Sequence, residues 1–261
     1  MVFIKAHAYG NDFLLVPEAE TTAHQDLAGL ARRMCSRHTG VGADGLMLFS
    51  PTPEGVGMRL FNADGSYSEL SGNGVRCLAA WLARDRRLAP GAEVIVRTDA
   101  GDKRLTLLEV DGTRYRFRAA MGQPEDLRQE TLDLDGQSVS AVVLRVGNPQ
   151  CVVLGPATHD RLVKLAGPLA VHPFFPEGTN VELVDVEARD RVRILIWERG
   201  VGPTEASGTG ACASAVAAAA FGGAARELDV VSPGGTQHVE WSDAGLWLTG
   251  WAEIISTGEL V

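Results

Sequence analysis

Two short stretches repeat one arrangement. Ser71-Gly72-Asn73-Gly74 leads into Val-Arg-Cys-Leu-Ala-Ala-Trp-Leu-Ala, and Ser207-Gly208-Thr209-Gly210 leads into Ala-Cys-Ala-Ser-Ala-Val-Ala-Ala-Ala-Ala. Each has a hydroxyl side chain, a glycine turn and an apolar run of helical composition. A glycine turn opening a helix exposes backbone N–H groups at the positive end of the helix dipole, which is an anion site. Two such starts predict a small acid held between two matching halves, its carboxylate on Gly72-Asn73 and Gly208-Thr209.

Other polar residues cluster around these starts, just after strand-like runs. They are Asn11, Asp44, Asn62, Ser71 and Asn73, then Asn148, Asn180, Glu198, Arg199, Ser207 and Thr209. Amide side chains accept from an ammonium and donate to a carboxylate, so the set suits a zwitterionic amino acid. Glu198 and Arg199 add one charge of each sign. Each Asn alone is an ordinary turn residue; together, at related positions, they read as a binding set.

The relation between those positions is an internal repeat. Gly147-Asn148 follows Gly10-Asn11 by 137 residues, while Gly178-Thr-Asn180 follows Gly42-Ala-Asp44, Trp197-Glu198 follows Phe61-Asn62, and Ser207 follows Ser71, each by 136. Chance glycine turns explain one such pair easily and four in order poorly. Two halves, 1–122 and 123–261, are therefore expected, with the last strand able to cross over.

Residues 2–7, 13–16, 46–49 and 58–62 read as strands, and 93–98, 103–110 and 113–120 as an antiparallel meander. A helix is expected over 23–36 with Thr22 as its cap, and another over 158–166. The polar run after Gln123-Pro124 reads as a crossover between halves. Residues 211–221 have no polar face, so that helix should be buried on all sides with strands around it.

Several other chemistries fall away. Gly40-x-Gly42-x-x-Gly45 matches a dinucleotide fingerprint, but a strand-like run follows it rather than a helix. Neither serine lies in a Gly-x-Ser-x-Gly elbow. The six histidines show no metal-ligand spacing, and Lys5 and Lys164 lack a Schiff-base context. Cys77 and Cys212 lie inside apolar helices and read as packing residues. A net charge of −9 over 261 residues argues against nucleic acid. No uninterrupted run of about 18 apolar residues suggests a membrane span. Met1-Val2-Phe3-Ile4 reads as strand rather than secretory signal, and the four scattered cysteines read as reduced thiols, so a cytoplasmic protein is expected.

The whole chain resembles the diaminopimelate epimerase family. The resemblance rests on Gly10-Asn-Asp-Phe13, Gly42-Ala-Asp-Gly45, Phe61-Asn-Ala-Asp-Gly-Ser66, Gly72-Asn-Gly-Val-Arg-Cys77, Gly147-Asn-Pro149, Gly178-Thr-Asn-Val181, Glu198-Arg-Gly-Val-Gly202 and Gly208-Thr-Gly-Ala-Cys212. It implies an α/β (α+β) fold of two pseudo-symmetric domains, each a β-barrel-like sheet around a central helix. It also implies inversion of an amino-acid α-carbon by two bases, without pyridoxal phosphate, other cofactor or metal. The family reaction, LL- to meso-diaminopimelate, feeds lysine and peptidoglycan synthesis. A homodimer is compatible with it.

The resemblance places the catalytic pair at Ser71 and Ser207, where the family carries cysteines, and Gln150 where it usually carries histidine. Substrate binding falls to Asn11, Asn62, Gly72, Asn73, Asn148, Asn180, Glu198, Arg199, Gly208 and Thr209. A serine hydroxyl is a far weaker acid than a thiol and normally needs a neighbouring base. Three readings follow: an epimerase of weak or altered activity, a diverged isomerase, racemase or dehydratase of another small amino or hydroxy acid, and a non-catalytic amino-acid-binding homologue, natural or made by exchanging the cysteines. Gln150 argues against deliberate exchange, which would not require it.

Overall fold

The computed structural model describes residues 1–260. In chain order its strands are β1 (Val2–Ala8), β2 (Asn11–Pro17), β3 (Gly45–Pro51), β4 (Gly55–Asn62), β5 (Tyr67–Ser68), β6 (Glu93–Thr98), β7 (Gly101–Asp111), β8 (Arg114–Gly122), β9 (Glu125–Leu134), β10 (Gln137–Val146), β11 (Asn148–Leu154), β12 (Asn180–Ala188), β13 (Arg191–Glu198), β14 (Gly202–Thr204), β15 (Glu227–Ser232), β16 (Gly235–Ser242) and β17 (Gly245–Glu259). The α-helices among the described residues are α1 (Leu27–Cys35), α2 (Gly72–Asp85), α3 (His159–Ala170) and α4 (Gly208–Phe221). The chain divides into two compact units, Met1–Ala119 with Gly250–Val261, and Ala120–Thr249. The last segment thus counts with the first unit. The reason is the length of β17: its start pairs with β16 (Trp241 opposite Leu246), and its end pairs with β1 (His7 opposite Glu253).

A parallel strand pair needs a crossover long enough to hold a helix, and this requirement shapes each unit. In the first, β2 and β3 are parallel with α1 between them, and β4 and β6 are parallel with α2 between them. The order β1, β2, β3, β4, β6, β7, β8, β17 returns to β1, which closes a barrel. The second unit repeats the plan: β11 and β12 flank α3, β13 and β15 flank α4, and the ladder runs β9, β10, β11, β12, β13, β15, β16, β17.

The two helices of each unit differ in placement because their sequences differ. The outer helix α3 is amphipathic, setting Leu162, Leu165, Ala166 and Leu169 against Cys151, Val153, Val181 and Leu183. The inner helix α4 is buried from Gly208 to Ala218 apart from Thr209, and it packs against Val152, Val184, Val192, Ile194 and Ile196. The strands between them alternate, odd residues of β11 and β12 facing α3 and even ones α4. Alanine suits the inner position because it combines high helix propensity with no side-chain entropy to lose.

Two expectations need correction. The first helix starts at Leu27 rather than residue 23, and its cap is Asp26, whose Oδ1 accepts from Gly29 N at 2.7 Å. Thr22 instead follows a 3-10 turn, Glu18–Thr21, that ends the preceding segment. The polar run after Gln123-Pro124 forms strand β9, paired antiparallel with β10. One side of β9 faces solvent, so its polar residues hide the period-2 pattern; Leu132 alone is fully buried.

The alanines of α4 are buried against strand side chains. Ala215→Leu should lower stability by about 1–3 kcal/mol through overpacking, read as a fall in the urea midpoint at unchanged m-value.

Candidate active site

In the first unit the starting point is Ser71, the N-cap of α2. Its backbone is extended (φ −134°, ψ 121°), and its Oγ accepts from Gly74 N at 3.1 Å. The next turn closes through Val75 N to Ser71 O at 2.8 Å. A Cβ at Gly74 would meet the Met47 terminal methyl, so the absent side chain leaves room for that methyl against the helix start.

A polar chain leads away from this cap. The Arg76 guanidinium donates to Asn73 Oδ1, Asn73 Nδ2 donates to Asn11 Oδ1 at 3.2 Å, and Asn11 Nδ2 donates to Asp44 Oδ2 at 2.8 Å. Arg37 then bridges Asp44 Oδ1 at 2.7 Å and Asp12 Oδ1 at 2.8 Å, and Lys5 Nζ lies 2.8 Å from Asp12 Oδ2. Both ends of the Asn11 amide are thereby fixed. Burial alone would raise the Asp12 carboxyl, but hydrogen bonds from Arg37 and Lys5 outweigh it and hold the group below its ordinary range. Asn62 stands apart from this chain: its Nδ2 donates to Ser66 Oγ at 2.9 Å, within its own turn.

In the second unit Ser207 caps α4 with nearly the same geometry. Its φ is −135° and ψ 131°, and its Oγ accepts from Gly210 N at 3.1 Å. Thr209 Oγ1 lies 3.5 Å from Ser207 Oγ. Asn180 Oδ1 accepts from Arg199 N at 2.9 Å, while the Arg199 guanidinium donates to Glu177 O at 2.7 Å. Gln150 Nε2 donates to Asn148 Oδ1 at 2.5 Å, and Gln150 Oε1 is buried without a partner. Glu198 ends β13 opposite Gly202.

The ladders also refine the repeat. Leu46 pairs with Phe61, and Val181 pairs with Trp197, so Leu46 corresponds to Val181 and Gly45 to Asn180. The sequence offset equated Asp44 with Asn180, one residue off. The two side chains accordingly do different work, Asp44 anchoring Asn11 and Asn180 anchoring the Arg199 backbone. By the same register Met47 corresponds to Glu182.

Comparison with known proteins gives this geometry its setting. The model of one family, diaminopimelate epimerase, matches residues 3–126 and 142–259. The chain belongs to the diaminopimelate epimerase family. It is 42% identical to the diaminopimelate epimerase of Desulforudis audaxviator, covering 100% of this chain and 99% of that one. It is 38% identical to that of Moorella thermoacetica, with 99% of each covered. Among solved structures, a probable proline racemase from Agrobacterium radiobacter matches with a TM-score of 0.74 at 17% identity, covering 100% of this chain and 92% of that one, a likeness of fold.

Sequence reading missed Lys5, Asp12, Arg37 and Glu182. Asp12 stands beside the Gly-Asn pair and could have been included on that ground. Glu182 is an acid in the otherwise apolar run Val181-Glu-Leu-Val184, where an inward-facing charge is the signal. The cysteines stand as read: Cys77 and Cys212 are fully buried, and burial pushes the Cys77 thiol up to about 12. No helix of the described residues is long and apolar enough to cross a membrane.

Two tests follow. Ser71→Ala and Ser207→Ala should each cost about 0.5–2 kcal/mol by loss of a cap, measured by chemical denaturation. Asp12→Asn removes the negative charge that Lys5 and Arg37 share, leaving Arg37 only its Asp44 carboxylate, and should cost about 1–3 kcal/mol at pH 7. Because the folded carboxyl titrates below its unfolded value, this stabilisation is complete above about pH 4 and is lost as the pH falls through the folded value. The gap between wild type and variant should therefore close on acidification in a pH series of urea titrations.

Proposed function

We propose that the chain is a diaminopimelate epimerase in which Ser71 and Ser207 hold the proton-carrying positions. The observation that carries this reading is the pair of matched caps: two serines at repeat-related helix starts, with backbone angles within about ten degrees of each other and the same bond from the glycine three residues on.

Inversion of an α-carbon requires a proton taken from one face and one delivered to the other. The two repeats supply one carrier each. The α-carboxylate of the substrate binds the helix-start N–H groups around Gly72-Asn73 and Gly208-Thr209, which stabilise charge that builds up as the α-proton leaves. Asn11, Asn73, Asn148 and Asn180 fix the amino-acid head, and their locked amide orientations favour one pose. Asn62, Glu198 and Arg199 are assigned to the rest of the substrate. No cofactor takes part. Hydroxyls replace thiols in both carriers, so turnover is slow.

The test is incubation with LL- and meso-diaminopimelate in heavy water, followed by proton NMR and separation of the stereoisomers. Slow interconversion with deuterium appearing at the inverted carbon supports the reading. Absence of α-deuterium from either stereoisomer at millimolar substrate overturns it, and β-elimination products would assign the chain to a dehydratase instead.

A further inference from the structure

Glu182 lies fully buried on the inner face of β12, and neither carboxyl oxygen has a hydrogen-bond partner. Its Oε1 is 2.6 Å from where a Cβ of Gly210 would stand, and Ser207 Oγ is 3.2 Å from the same point. The missing side chain of Gly210 thus leaves the carboxyl and the hydroxyl against one small gap. The corresponding position in the first repeat is Met47, whose methyl fills the matching gap beside Gly74. The two serine caps are alike, but only one has an acid behind it.

A buried acid without partners costs stability that a methionine would not. The fold accepts methionine at the equivalent place, so packing does not demand the carboxyl. Serine as a proton carrier needs a neighbouring base, and Gln150 supplies none. We propose, resting on the epimerase reading, that Glu182 is the base behind Ser207, and that the Ser207 side therefore exchanges the α-proton faster than the molecule inverts it.

The step balances within the chain and the substrate. The Cα–H bond breaks and its electron pair stays on the substrate, delocalised into the carboxylate. The proton passes to Ser207 Oγ while the Ser207 hydroxyl proton passes to the Glu182 carboxylate. Reversal returns a proton to the same face, and a solvent deuteron exchanged into the pair is returned in its place. The two groups make no hydrogen bond in the unliganded chain; catalytic hydrogen bonds of an unliganded enzyme commonly tighten only with substrate. Ser71 has Met47 rather than an acid at the matching place, so delivery from that side is the slow step.

The titratable groups facing Glu182 are few. Glu198 on β13 disfavours its charge, as does its own burial, and both hold the carboxyl above its ordinary range. Cys151 is the one titratable residue of β11, and burial with the Glu182 charge nearby keeps its thiol protonated. Helix α4 carries only Cys212. Since only the carboxylate accepts a proton, exchange should rise with pH through the Glu182 ionisation.

The experiment follows α-deuterium entry and inversion separately, for each stereoisomer of diaminopimelate, from pH 6 to 10 in wild type, Glu182→Gln and Glu182→Met. In wild type one stereoisomer should gain deuterium with retention at least tenfold faster than it inverts, and the rate should climb with pH. Both variants should lose tenfold or more of that exchange and its pH dependence, and Glu182→Met should melt higher than wild type. Exchange in wild type that either folded variant leaves unchanged, in rate and pH profile, overturns the role of Glu182 alone. Exchange that never outpaces inversion also overturns it while leaving the epimerase reading intact. No exchange in wild type overturns both.

Discussion

The structure depends on how closely each inner helix can begin beside its strands. At Gly74 and Gly210 the absent side chain leaves room for the ends of the Met47 and Glu182 side chains, which a methyl group at either would displace. The same glycines present the N–H groups that the serine hydroxyls cap. The room for the strand side chains and the capped N–H groups therefore come from the same two residues. The parallel strand pairs follow from the inner helices, because each serves as the crossover between two strands that it also fills.

Much of this was legible in the sequence. The repeated Ser-Gly-x-Gly arrangement located both helix starts, and the almost wholly small and apolar run 211–221 marked a helix that is buried as far as Ala218. The antiparallel meander over β6, β7 and β8 was clear from alternation. What stayed hidden had physical reasons. Strand β9 exposes most of its length, so its polar composition resembled a connection. The one-residue slip between Asp44 and Asn180 lies in a turn, where spacing carries no periodic signal, and only strand pairing reveals it. Asp26 rather than Thr22 caps α1 because a 3-10 turn absorbs the residues before it.

The polar groups around the two caps show why like positions can be unlike in chemistry. Around Asn11 charges alternate, Lys5 and Arg37 against Asp12 and Asp44, and the Asp12 carboxyl is held below its ordinary range. Around Glu182 no cation enters, and the carboxyl is pushed toward its neutral form by burial and by Glu198. The two units thus share a plan of strands and helices while one holds an ionic lattice and the other a buried acid.

The most direct test of the assignment is the rate of the double variant Ser71→Cys/Ser207→Cys with LL-diaminopimelate, set against wild type under identical conditions. If the serines occupy the proton-carrying positions, thiols there should raise interconversion by at least about 100-fold, the lower end of what a positioned acid–base group contributes. A double variant that stays folded and turns over no faster than wild type would contradict the account.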